Sequence, residues 1–242
     1  EGRRRLTPSL ATLLGELGDV RATPRLRAML GETDPAGRTA AAVALARLGD
    51  ETALATARGW LKTTEPRLRL AAAEVFVALG APEAPGAVAS LVASSATRAA
   101  GLRLAADAPS PALVTPLLAA LAKVNGDDEP GVVATLGRCG PRAVPPLVGL
   151  LGRDALAVHA ASALARAPGK QARAALETAL AAAKPGAQRR LLARAGVVRA
   201  LELGDAPENL RAALDALAAS HDPADRGAGV TGLVATGAWS TD

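Results

Sequence analysis

Four arginines, Arg189, Arg190, Arg194 and Arg199, fall within eleven residues, and no acidic residue follows them before Glu202. A guanidinium is a permanent planar cation whose fork of donors matches a carboxylate or a phosphate, so the chemistry pointed to is recognition of an anion. On an ideal helix Arg190 and Arg194 are one turn apart and Arg189 lies beside them on the same broad face, whereas Arg199 points elsewhere. These four are the candidate partner-binding residues. An acidic protein partner is the first expectation and phosphates the second. The bland alternative is a solvated face in an arginine-rich chain.

Residues able to do covalent or metal chemistry are sparse. His159 and His221 are the two histidines and Cys139 is the one cysteine, which does not make a three-ligand zinc site without carboxylates that the sequence does not single out. Asn125-Gly126-Asp127-Asp128-Glu129 puts three acids in a row, but a calcium loop needs alternating oxygen ligands, a fixed glycine and a distal glutamate. These acids read as helix caps instead. No nucleophile elbow, phosphate loop, Walker lysine or dinucleotide fingerprint is present. The expectation is therefore no enzyme, no catalytic residue, no metal and no cofactor. A triad assembled only by folding stays open, because triads are set by geometry rather than by sequence order.

Composition narrows the class. Half of the 242 residues are apolar, enough to bury a sizeable core. Trp60, Phe76 and Trp239 are the only aromatics, so helices faced with small residues must supply the packing. The formal charge is +5, and only Lys62, Lys123, Lys170 and Lys184 among the 28 basic residues are lysines. That arginine bias, with the alanine excess, reads as a GC-rich genome rather than as selection for phosphate. Cys139 forms no internal disulfide and is expected to be a small buried hydrophobe. No apolar run reaches the ~18 residues of a membrane span. Because the chain opens on Glu1 rather than Met, more sequence is expected before it, a cleaved signal stays open, and the cytoplasm is the working location.

The elements that must position the arginines are set by a repeat. Thr33-Asp34-Pro35-Ala36-Gly37-Arg38 runs through Ala41, Ala44, Leu45 and Leu48 to Gly49-Asp50. Thirty-one residues later come Glu65-Pro66-Arg67-Leu68-Arg69, Ala72, Phe76, Leu79 and Gly80, and near the end Asp222-Pro223-Ala224-Asp225-Arg226, Leu233 and Gly237. Asp34 and Asp222 can cap a helix, Pro35, Pro66 and Pro223 suit its first position, and Gly49, Gly80 and Gly237 stop it. A fixed period of this size is the mark of stacked helical hairpins. The pattern predicts a leading helix at 10–17, followed by pairs at 20–31 with 36–48, 51–63 with 66–79, and 83–95 with 97–106. Further pairs are expected at 110–124 with 130–139, 141–152 with 154–166, 169–184 with 186–203, and 206–219 with 223–237. The helix before Gly140-Pro141 should stop early, and the one ending at Leu203-Gly204-Asp205 should run long.

Asp/Glu-Pro-x-x-Arg, a small-residue helix and a closing Leu-Gly-Asp at this period resemble HEAT repeats, most closely the short HEAT-like repeats of phycobilisome lyases. The resemblance covers nearly the whole chain, with the full motif around Arg38, Arg69 and Arg226. It implies an all-α fold, an α-solenoid of about seven helix pairs plus a leading helix, read as one domain over 1–242. It further implies that Arg38, Arg69 and Arg226 pair with the capping acid four residues before them, or with an acid of the adjacent repeat, in a ladder between units, with partner binding as the alternative. Most members of the family are interaction scaffolds, so the expected function is a non-enzymatic scaffold or adaptor binding another protein. A nucleic-acid-binding HEAT module using the 189–199 strip is the alternative, and a bilin-lyase-like accessory enzyme, or a DNA glycosylase, is weaker still. The glycosylases of this architecture hold a base with aromatic side chains, and this chain has too few.

Overall fold

In the computed structural model the described residues are 6–32, 34–124 and 126–237, so Thr33, Asn125 and Trp239 lie outside them. These residues form fifteen α-helices and no strand. The contacts divide the chain into two compact units, Glu1–Ala108 and Pro109–Asp242, where the sequence reads as one domain.

The first unit holds α1 (Pro8–Glu16), α2 (Thr23–Leu30), α3 (Pro35–Arg47), α4 (Ala53–Trp60), α5 (Pro66–Ala78), α6 (Ala84–Ala93) and α7 (Arg98–Asp107). The even helices are the first members of hairpins, and α3, α5 and α7 are the second. Neighbouring second helices pack on one another, α1 on α3, α3 on α5 and α5 on α7, so a layer of second helices faces a layer of first helices.

Helix ends follow local chemistry. The Asp34 carboxylate accepts from the backbone N–H groups of Ala36 and Gly37, and Pro35 opens α3 where a missing donor costs nothing. At the other end Gly49 takes φ +78°, the left-handed conformation that a side chain resists. Leu45 and Phe76 are fully buried between the layers, and Trp60 nearly so. Where α1 crosses α3, Gly15 lets the backbones meet: a Cβ there would lie 2.7 Å from Ala44 Cα.

The second unit holds α8 (Val114–Leu121), α9 (Glu129–Arg138), α10 (Val144–Leu150), α11 (Asp154–Arg166), α12 (Lys170–Ala182), α13 (Ala187–Leu203), α14 (Leu210–Ala218) and α15 (Pro223–Ala235). The same two layers recur, with α9, α11, α13 and α15 forming the second-helix layer. As the sequence predicts, α9 stops at Arg138, and Gly140 turns the chain at φ +84°. The 17-residue α13 outruns the 13 residues of both α11 and α15. All seven predicted pairs and the leading helix are present, with short 3-10 turns at Val20–Ala22, Pro111–Leu113 and Pro141–Ala143 opening three of the first helices.

The ladder differs from the expectation. The Arg38 side chain makes no hydrogen bond or ion pair with a described residue, the Arg69 guanidinium donates to Ser90 Oγ, and that of Arg226 donates to the carbonyl oxygens of Ser220 and His221. Arginines on first helices take the role instead, pairing with the acid just beyond the second helix of their own hairpin. Arg27 reaches Asp50 at 2.7 Å, Arg58 reaches Glu83 at 2.7 Å, and Arg173 reaches Asp205 at 3.4 Å. Of the opening acids, Asp34 and Asp222 cap their helices, Glu65 makes no capping hydrogen bond, and Asp222 also pairs with Arg190 of the preceding hairpin.

Candidate functional site: a groove on the second-helix layer

In the second unit α11, α13 and α15 lie side by side and enclose an open groove of about 920 Å³. Its floor is built from the small and apolar residues that leave a helix flank low: Ala161 of α11, Leu191 and Val198 of α13, and Ala228, Thr231 and Gly232 of α15. The outermost apolar residue of the α11 wall, Val158, is largely exposed. Close packing beneath α15 keeps the groove shallow on that side. A Cβ on Gly229 would fall 2.3 Å from the backbone nitrogen of Ala218, so α14 and α15 approach with no room for a side chain.

Three arginines reach the groove, and they differ in state. Arg190 donates through Nη1 to Asp222 at 3.1 Å and to Asp225 at 2.5 Å. The hydrogen bond to Asp225 is the main reason its pKa rises above the ordinary arginine value. Arg166 donates to Ser162 Oγ at 2.6 Å and to Glu202 at 2.9 Å. Arg194 is exposed and makes no hydrogen bond or ion pair with any described residue. One cation in the groove is unanswered.

The strip read from the sequence is thus dispersed. Arg190 and Arg194 share the groove as expected, while Arg189 does not line it; its Nε is buried without a hydrogen-bond partner. Arg199 is corrected outright. It is 1% exposed and cannot meet a partner. Its guanidinium donates to the carbonyl oxygens of Ala167 at 2.6 Å and Gly169 at 3.0 Å, and to the Asp205 carboxylate. It also lies 3.4 Å from the carbonyl oxygens of Leu164 and Ala165. Those groups end α11 and the turn after it, where carbonyls lack helical partners, so a side chain of α13 caps the helix of the preceding hairpin. The hydrogen bond from Arg199 is the leading cause holding Asp205 below the usual carboxylate range.

Arg166, Val158 and Val198 belong to the site although sequence reading passed over them. The signal available was the set of positions on α11 and α13 three and four residues apart that do not alternate with the buried alanines.

Covalent chemistry finds little purchase. The groove lining carries no Asp, Glu, His, Lys or Cys. Cys139 is buried, burial pushes its thiol pKa up, and its sulfur donates to the Thr135 carbonyl oxygen at 3.3 Å. A thiol so placed is a packing group rather than a nucleophile. His159 is half-buried on α11 and His221 is exposed just before α15. Among the described residues no three of His, Cys, Asp and Glu come together as a metal site, and no helix is long and apolar enough to cross a membrane.

Residues 9–76 match the family model for HEAT repeats. No curated protein matches the chain. Among solved structures, the chain is similar to human deoxyhypusine hydroxylase in complex with glycerol, at 18% identity, 95% of this chain, 78% of that one and a TM-score of 0.36. So loose a superposition says nothing about activity.

Proposed function

We propose that this HEAT-repeat protein is a non-enzymatic scaffold that binds another protein, with the second-helix groove of the second unit as its docking site. The observation that carries the reading is Arg194: an exposed guanidinium without a partner, standing in a groove otherwise lined by small apolar side chains and by arginines already paired. Such a surface favours an apolar segment that brings one carboxylate, since a polyacidic one would find only a single free cation. The size agrees. Each wall contributes about eight residues of helix, ~12 Å at 1.5 Å per residue, and a helix ~10 Å across over that length occupies roughly the volume of the groove.

Two facts weigh for this reading over the others. A general acid or base must stand within reach of the reacting atom, and the groove offers only guanidinium and hydroxyl groups. A phosphate track needs several free cations in a row, whereas Asp222, Asp225 and Glu202 neutralise Arg190 and Arg166.

Selection of a displayed random-peptide library on the chain tests the proposal. Enriched peptides should carry one acid within an apolar helical pattern and should lose binding to Ala228→Trp, which fills the groove. Peptides that bind this filled variant equally well would place the docking surface elsewhere.

A further inference from the structure

The apolar surface of α13 does not stop where the groove does. Arg190, near the start of α13, meets Asp222 and Asp225 at the start of α15. Arg199, further along, meets the carbonyl oxygens that end α11. The three helices therefore start level, and residues 200–203 of the 17-residue α13 stand clear of the 13-residue helices on either side. Two leucines occupy that projecting turn, Leu201 at 60% exposed and Leu203 at 45%. By helical spacing Leu201 follows Arg194, Val197 and Val198, which line the groove, whereas Leu203 falls on the opposite side. Glu202 between them pairs with Arg166 of α11 at 2.9 Å, which ties the turn to the groove wall. A single exposed leucine is ordinary. Leu201 differs because it continues the groove strip, two turns and about 10.5 Å beyond Arg194.

We propose that the partner segment docking here is a helix lying along α13, with a carboxylate on Arg194 and a large apolar side chain covering Leu201, so that acid and anchor stand seven residues apart. This rests on the docking groove around Arg194 and adds to it the register of the partner. A helix laid in an apolar groove is held by anchors at i, i+3, i+4 and i+7. Arg194, Val197, Val198 and Leu201 present that same spacing from the groove side. Helices lying side by side rise equally per residue, so matched anchors keep matched spacing whichever way the incoming helix runs. An extended segment rises about 3.3 Å per residue and would span the same distance in roughly three residues. The spacing of acid and anchor therefore reports the conformation of the bound segment.

The test is a displayed random-peptide selection run in parallel on the wild-type 242-residue chain, Leu201→Ala and Ala228→Trp. Peptides enriched on wild type should carry Leu, Ile, Met or Phe seven residues before or after their acid. Those enriched on Leu201→Ala should keep the acid and lose that preference. In a calorimetric double-mutant cycle, Leu201→Ala and replacement of the peptide anchor by Ala should each weaken the best peptide about fivefold or more, and together little more than either alone. Leu201 is exposed, so Leu201→Ala should melt with the wild type. Peptides lost on Ala228→Trp that show no preference at the seventh residue, or an anchor three residues from the acid, would overturn the helical register and leave the docking groove standing. Enrichment of no groove-dependent peptide would remove both. A chain that sediments as a dimer, dissolved by Leu201→Ala, would overturn a separate protein as the occupant in favour of a second copy.

Discussion

Arg199 of α13 donates to the carbonyl oxygen of Ala167 at 2.6 Å, across 32 residues of chain, and so caps a helix it does not belong to. The relationship turns a residue expected at a binding surface into a joint between consecutive hairpins. Removing the guanidinium leaves Asp205 without its main partner and several carbonyls without donors. Arg199→Ala should therefore cost about 3–5 kcal/mol, at about 1–3 kcal/mol for each carbonyl left unsatisfied, while the partly exposed Asp205 keeps Arg173. Thermal melting reads this as a fall of roughly 6–20 °C for a chain of this size. An unchanged melting temperature would mean that the capping role is idle.

Arg190 and Arg194 should separate cleanly. Arg190 pairs with Asp225, whose side chain is only 4% exposed. Arg190→Glu sets an acid against Asp222 and Asp225 and should lower the melting temperature, whereas Arg194→Glu breaks nothing described and should leave it unchanged. Equal melting curves for the two variants would contradict this division.

Gly229 supplies a packing prediction. Gly229→Ala forces a Cβ onto the α14 backbone at Ala218 and Leu214 and should cost about 1–3 kcal/mol, as overpacking does. Gly227, in the same helix, has nothing within 4 Å of its would-be Cβ. Gly227→Ala should be neutral or stabilising by a few tenths up to about 1 kcal/mol, because alanine loses less backbone entropy. Denaturant midpoints for the two variants check both halves.

Asp50 and Glu74 should respond to pH with opposite signs. Burial raises the Asp50 pKa, but the hydrogen bonds from Arg27 and Thr52 outweigh it and leave the folded value below the ordinary one. Its contribution is present above the unfolded value, about 3.9, and is lost as pH falls through the folded value. Glu74 is raised by burial, so its contribution is complete below its unfolded value of about 4.3 and is lost as pH rises through the folded one. Asp50→Asn should lower stability at neutral pH and flatten the acid side of the stability curve. Glu74→Gln should raise stability at neutral pH, with the gain vanishing below about pH 4. Stability curves against pH decide it; a shift of the same sign for both variants at neutral pH would refute the assignment.

The hairpins were legible in the sequence because their signals are local. Asp34 and Pro35 start α3 and Gly49 stops it through contacts within a few residues, so the period alone orders the helices. The pairing of charges was not legible. Arg27 and Asp50 lie 23 residues apart and Arg173 and Asp205 lie 32 apart, and no local rule says that a first-helix arginine turns to the closing acid rather than the capping one. Arg199 was misplaced for the same reason: helical spacing shows which residues share a face, not that the neighbouring hairpin ends its helix against that face. Arg190 and Arg194 were recovered together because they are a single turn apart on one helix.

The central claim, a docking groove built around Arg194, is tested most directly by one affinity ratio. The peptide most enriched on the wild-type chain is titrated calorimetrically into wild type, Arg194→Glu and Arg189→Glu. Reversing the one unanswered charge in the groove should weaken binding about tenfold or more, some 1.4 kcal/mol, whereas reversing Arg189, which does not line the groove, should change affinity less than about twofold. Equal affinities for wild type and Arg194→Glu, with both chains folded, would contradict the account.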